Sequence, residues 1–60
     1  METGKFWAVI PAYNEEKSIA DIVRKTRKYI DKVIVVDDGS KDMTNKIAEK
    51  AGAVVLRHIV

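Results

Sequence analysis

Two short stretches hold most of the residues that could do chemistry in this sixty-residue sequence: PAYNEE at 11–16 and DDGSKD at 37–42. In the second, four branched apolar residues, Val33 to Val36, run straight into two adjacent carboxylates, Asp37 and Asp38, and the chain then turns through Gly39 and Ser40. Adjacent like charges repel, so the pair needs compensation. Tyr13 beside carboxylates suits a nucleoside, because the ring can stack on a base while a carboxylate accepts from a ring N–H or a ribose hydroxyl. Phosphates would be repelled by the same acidic mouth, and a nucleoside diphosphate would therefore bring a divalent cation with oxygen ligands. Asp38 is one candidate ligand, but no second acidic pair with suitable spacing accompanies it.

Each residue also has a plainer explanation. Asp-Gly is a turn signal by itself. Glu15 and Glu16 at a helix start are accounted for by the helix dipole. Tyr13 could pack over a strand end, and Trp7 and the lone His58 read as structural.

The elements that must position the two stretches follow from periodicity. Phe6 to Ile10 and Lys32 to Asp37 are short apolar runs without alternation, which predicts strands buried on both faces. Between them Ile19, Ile22, Val23, Thr26, Tyr29 and Ile30 recur near the helical period, with Asn14 as the expected cap and Arg27 and Lys28 near the far end. SKDMTNKIAEKAG predicts a second helix with Ser40 and Asp42 as caps, Ile47, Ala48 and Ala51 inside, and Gly52 as the stop. Ala53 to Ile59 is the third predicted strand.

The expected fold is thus α/β, a three-stranded parallel sheet in the order β-α-β-α-β with right-handed crossovers. Strand order 3-2-1 would put both helices on one face and leave the other bare. Residues 1–60 are read as one partial domain, the front portion of a larger one, and the bare face leads us to expect a homo-oligomer for the sixty residues alone. In such sheets ligands bind beyond the carboxyl ends of the strands, where both stretches fall.

Composition narrows the classes. With 47% hydrophobic and 33% charged residues the chain has a globular composition, and sixty residues make its stability marginal. It has no cysteine and one histidine, which excludes a disulfide framework and the common zinc clusters. A net charge of +2 gives no reason to expect nucleic acid, and the sequence contains no signal peptide or membrane-spanning run. It lacks the Gly-x-Gly-x-x-Gly turn of dinucleotide folds and the Gly-Lys-Ser/Thr of P-loops. Receiver domains place their acidic pair after the first strand, whereas here it follows the second.

Pro11, Tyr13, Asn14 and Glu15, followed about twenty residues on by Val36, Asp37, Asp38, Gly39, Ser40, Asp42 and Thr44, resemble the amino-terminal part of family 2 glycosyltransferases with the GT-A fold. The match covers essentially the whole chain, and PAYNEE looks most like the polyprenyl-phosphate mannosyl or glucosyl transferases. The resemblance implies a nucleotide-binding set of Pro11, Ala12, Tyr13, Glu15, Asp37 and Asp38. Ala12 and Tyr13 would line the base pocket, Glu15 would reach the nucleoside, Asp38 would bond to the base edge, and Asp37 would support the loop. It further implies a complete cytoplasmic enzyme, working at the membrane surface, that moves a hexose from a UDP- or GDP-linked sugar to a polyprenyl phosphate by inverting displacement with Mg²⁺ or Mn²⁺. The family's D-x-D metal site and catalytic base fall past residue 60, so the segment alone is expected to bind and not to transfer. The alternative expectation is a truncated, non-catalytic α/β module that self-associates through its exposed sheet face.

Overall fold

The computed structural model describes residues 6–58, and β2 (Lys32–Asp37) lies at its centre. β2 pairs in parallel with β1 (Trp7–Ala12) on one side and β3 (Val54–Arg57) on the other. The crossovers are α1 (Ile19–Arg27) and α2 (Thr44–Ala51). The order β1-β2-β3 is the expected 3-2-1 order read from the opposite edge.

Register sorts the side chains. Val33 and Val35 on β2 are fully buried and form one core with Ala12, Ile19, Val23, Ala48 and Ala53, so both helices lie on that face. The other face carries Trp7, Val9 and Pro11 opposite Lys32, Ile34 and Val36, with Val54 and Leu56 beyond. No described residue covers it: Trp7 is 60% exposed and Val9 62%. The Lys32 ammonium lies 5.9 Å from the centroid of the Trp7 ring on that surface. The bare face is therefore as expected, and the non-alternating strands reflect apolar residues on both sides of the sheet.

β1 runs through Pro11, two residues beyond the predicted end. Asp38 N–H donates to the Ala12 carbonyl at 2.9 Å, so Ala12 is a ladder residue facing β2 and Pro11 turns its nitrogen to the open edge. No ladder bond is lost at the proline. α1 begins at Ile19, not at the Glu15–Glu16 turn, and ends at Arg27; a further turn brings the Tyr29 and Ile30 N–H groups to the Thr26 carbonyl. Tyr29, predicted for the inner face, is 86% exposed, because it lies past the last helical turn. Gly52 closes α2 in the left-handed region, φ 111°, where the Gly52 and Ala53 N–H groups reach the Glu49 and Ala48 carbonyls. β3 ends at Arg57, and the predicted extension to Ile59 lies outside the described residues.

A domain of this size has about 3–9 kcal/mol of total stability. Ile19→Ala, at a side chain 1% exposed, should cost about 2–5 kcal/mol, a large share of that total. Val9→Thr on the bare face should change stability by no more than about 0.5 kcal/mol. Urea denaturation followed by circular dichroism separates the two.

Candidate functional site

The chain leaves β1 at Ala12 and β2 at Asp37, adjacent partners in the register, so the two motif loops start side by side at the carboxyl edge of the sheet. Six hydrogen bonds join them. One is the Asp38-to-Ala12 backbone bond, and in three more the N–H groups of Asn14, Glu15 and Glu16 donate to Ser40 Oγ, Thr44 Oγ1 and Asp42 Oδ2 at 2.8, 2.8 and 3.3 Å. In return the Lys41 N–H donates to Asn14 Oδ1 at 2.9 Å and the Met43 N–H to Glu16 Oε1 at 3.0 Å.

Two expected caps are corrected by this network. Asn14 does not cap α1; it sits in the left-handed region at φ 51°, tolerated by asparagine, and its side chain is committed to the second loop. Ser40 does not cap α2, because its hydroxyl accepts from the first loop. Asp42 does serve the helix start, accepting from the Thr44 N–H at 2.9 Å and from the Thr44 hydroxyl. Burial raises the Asp42 carboxyl, but hydrogen bonds from the Thr44 hydroxyl and from the Thr44 and Glu16 N–H groups outweigh it and hold the group below the ordinary carboxylate value.

The twin acids divide into two roles. Asp37 is fully buried on the helix side, where Oδ1 accepts from the Ser40 N–H at 2.9 Å. Its Oδ2 lies 3.5 Å from Arg57 Nε without hydrogen-bonding geometry, so Arg57 compensates the charge while Oδ2 has no hydrogen-bond partner among the described residues. Arg57 Nη2 also donates to the Ser40 carbonyl at 3.3 Å. The pair thus holds both ends of one residue and supports the loop. Gly39 between them takes φ 79°, which lets the chain turn there.

Asp38 points outward instead. It lines a cleft of about 280 Å³ together with Pro11, Ala12, Tyr13 and Glu15. Five of the six expected nucleotide-binding residues therefore share one cavity, and the sixth, Asp37, lies beneath it. Tyr13 is half exposed over the rim, free to stack. Glu15 also accepts from the Ser18 hydroxyl at 3.2 Å. A larger groove of about 380 Å³, lined by Arg24, Arg27, Lys28 and Ala51, lies at the opposite pole of the helix layer, away from the strand ends.

A profile for glycosyl transferase family 2 matches residues 7–59. The chain belongs to glycosyl transferase family 2. It is 49% identical over 45 residues to the UDP-N-acetylglucosamine--dolichyl-phosphate N-acetylglucosaminyltransferase of Methanococcus voltae, covering 73% of this chain and 18% of that protein. It is 41% identical over 59 residues to human dolichyl-phosphate beta-glucosyltransferase, covering 80% and 18%. Among solved structures, glucosyl-3-phosphoglycerate synthase from Mycobacterium tuberculosis in complex with Mg²⁺ and UDP superposes with a TM-score of 0.76 at 34% identity, covering 85% of this chain and 20% of that one. The chain spans about a fifth of the length of each of these relatives. Its sheet and helices are the amino-terminal part of the GT-A fold.

Among the described residues no three His, Asp or Glu side chains are grouped to hold a metal ion. Nor is any described helix long and apolar enough to cross a membrane. Two contributors escaped the sequence reading. Thr44 matched the family pattern, but its buried hydroxyl serves both loops. Arg57 faces Asp37 only because of the β2–β3 register, for which the sequence carries no local signal.

Thr44→Val keeps shape but removes the hydroxyl shared by Glu15 and Asp42, and should cost about 1–3 kcal/mol by urea denaturation, with Thr44→Ser recovering most of it. The Asp42 carboxyl is depressed in the folded state, so its stabilisation is present above the unfolded value of about 3.9 and is lost as pH falls through the folded value. Asp42→Asn should therefore be less stable at pH 7 and show a flatter loss of stability below about pH 4 than wild type.

Proposed function

We infer that this chain is the sugar-nucleotide-binding portion of an inverting family 2 glycosyltransferase that moves a hexose from a nucleoside-diphosphate sugar to a polyprenyl phosphate. The observation that carries this is the convergence of Pro11, Ala12, Tyr13, Glu15 and Asp38 on one cleft at the carboxyl ends of β1 and β2. Its volume of about 280 Å³ falls at the lower edge of ordinary ligand pockets, room for a nucleoside and not for a whole sugar nucleotide. Tyr13 stacks on the base, Asp38 accepts from a base N–H, and Glu15 accepts from a hydroxyl. The UDP complex of the mycobacterial synthase and its complex with Mn²⁺, UDP-glucose and phosphoglyceric acid support a nucleotide donor used with a divalent cation. The dolichyl-phosphate transferases support the acceptor class.

In the whole protein an acceptor phosphate oxygen forms a bond to the anomeric carbon as the bond from that carbon to the diphosphate breaks, and the nucleoside diphosphate leaves with the electron pair. The sixty residues contain no D-x-D, and this chain's part is to hold and orient the donor's nucleoside. The exposed sheet face supports a second reading for the sixty residues by themselves, a module that pairs with its own copy through Val9, Val54 and Leu56. Light scattering gives a dimer mass on that reading and a monomer mass without it.

UDP should bind weakly in an NMR titration, with shifts at Ala12, Tyr13 and Asp38. Asp38→Ala should abolish binding and Tyr13→Ala weaken it about 5- to 100-fold, one base stack's worth. Wild-type affinity in Asp38→Ala would remove that residue from the site.

A further inference from the structure

Asp38 does not stand alone at the rim. His58, the first residue past β3, donates its N–H to the Asp37 carbonyl at 2.8 Å, which continues the ladder by one residue. That bond sets the imidazole beside Asp38, with His58 Nδ1 3.0 Å from Asp38 Oδ1. An ionised carboxylate only accepts, so Nδ1 supplies the proton. No described residue donates to Asp38 Oδ2. The cleft lies on the β1 side of Asp38 and His58 on the β3 side, so the carboxylate stands between them with one oxygen engaged and one open.

We propose that His58 is a positioning residue that sets base specificity: by engaging Asp38 Oδ1 it leaves the cleft one fully open carboxylate oxygen, which favours a base with a single imide N–H, as in uracil, over guanine. The proposal rests on the nucleoside reading of the cleft. Guanine presents two adjacent parallel donors, N1–H and an N2 hydrogen, which match the two oxygens of one carboxylate. With Oδ1 already accepting from His58, guanine's amino group must share that oxygen with the imidazole, so the bidentate match gains less than it would on a free carboxylate. Uracil presents N3–H between two carbonyls, so a second open carboxylate oxygen would face a lone pair there. Engaging Oδ1 elsewhere removes that conflict. The His58–Asp38 contact is solvent-exposed, both side chains being 64% accessible, so it adds little to folding and can be altered without unfolding the chain.

The test is an NMR titration of the full chain with UMP, GMP and IMP, which share a phosphate; IMP is a purine without the guanine amino group. Wild type should bind GMP no more tightly than IMP. His58→Ala should raise GMP over IMP on the order of tenfold while UMP holds its affinity. His58→Asn, whose amide donor stands near the position of Nδ1, should keep the wild-type ratio. If UMP binds and Asp38→Ala weakens it, but GMP and IMP keep the same ratio in wild type and His58→Ala, the role of His58 is overturned and the cleft reading stands. If Asp38→Ala leaves all three nucleotides unaffected, both fall together.

Discussion

The amide N–H groups of Asn14, Glu15 and Glu16 have no strand to pair with and no helix behind them, and the structure depends on where they donate. Three side chains of the opposite loop, Ser40, Thr44 and Asp42, accept them. Backbone donors that emerge from a strand end must find partners or incur a desolvation cost. Here they find them in residues spaced two apart along the second loop, which ties the first loop to the second at the level of individual residues. The tie is reciprocal, since Asn14 and Glu16 accept from Lys41 and Met43. Tyr13 and Asp38 are brought to one rim by this lock.

Beneath the lock, Asp37 and Arg57 hold Ser40 from its two sides. A buried carboxylate is expensive, and one whose second oxygen lacks a hydrogen bond is more so. The arrangement is intelligible if its benefit is a fixed loop and not stability. The two adjacent acids therefore do not compete for one role. The first is turned into the helix layer by strand alternation and the second out of it, and they meet different partners at the end of β3, Arg57 and the residue after it, His58. On the far side of the sheet, Val9, Val54 and Leu56 stay half exposed or more among the described residues, which fits a segment spanning about a fifth of its family 2 relatives.

The sequence reveals the strands and helices, their order and the single covered face, because apolar runs, helical periodicity and the glycine stop are local signals. β2 is found at its predicted ends. The rim is also legible, since both motif loops follow strands that must be parallel neighbours. What stays hidden depends on tertiary pairing. Asn14 and Ser40 carry cap-forming side chains, and from sequence nothing separates capping their own helix from bridging to another loop. Tyr29 keeps the helical period past the point where the helix stops. Arg57 and His58 acquire partners only through the β2–β3 register, so a histidine with no sequence-visible partner ends up bonded to Asp38.

Native-state amide hydrogen exchange reads the lock most directly. If the two loops are tied as described, the Asn14, Glu15 and Glu16 amides will exchange as slowly as those of Val33 and Val35 in the central strand, opening only when the whole domain opens. Exchange of those three amides at the rate of a free loop, with the strand still protected, would show that the lock does not form and that the rim is not fixed by it.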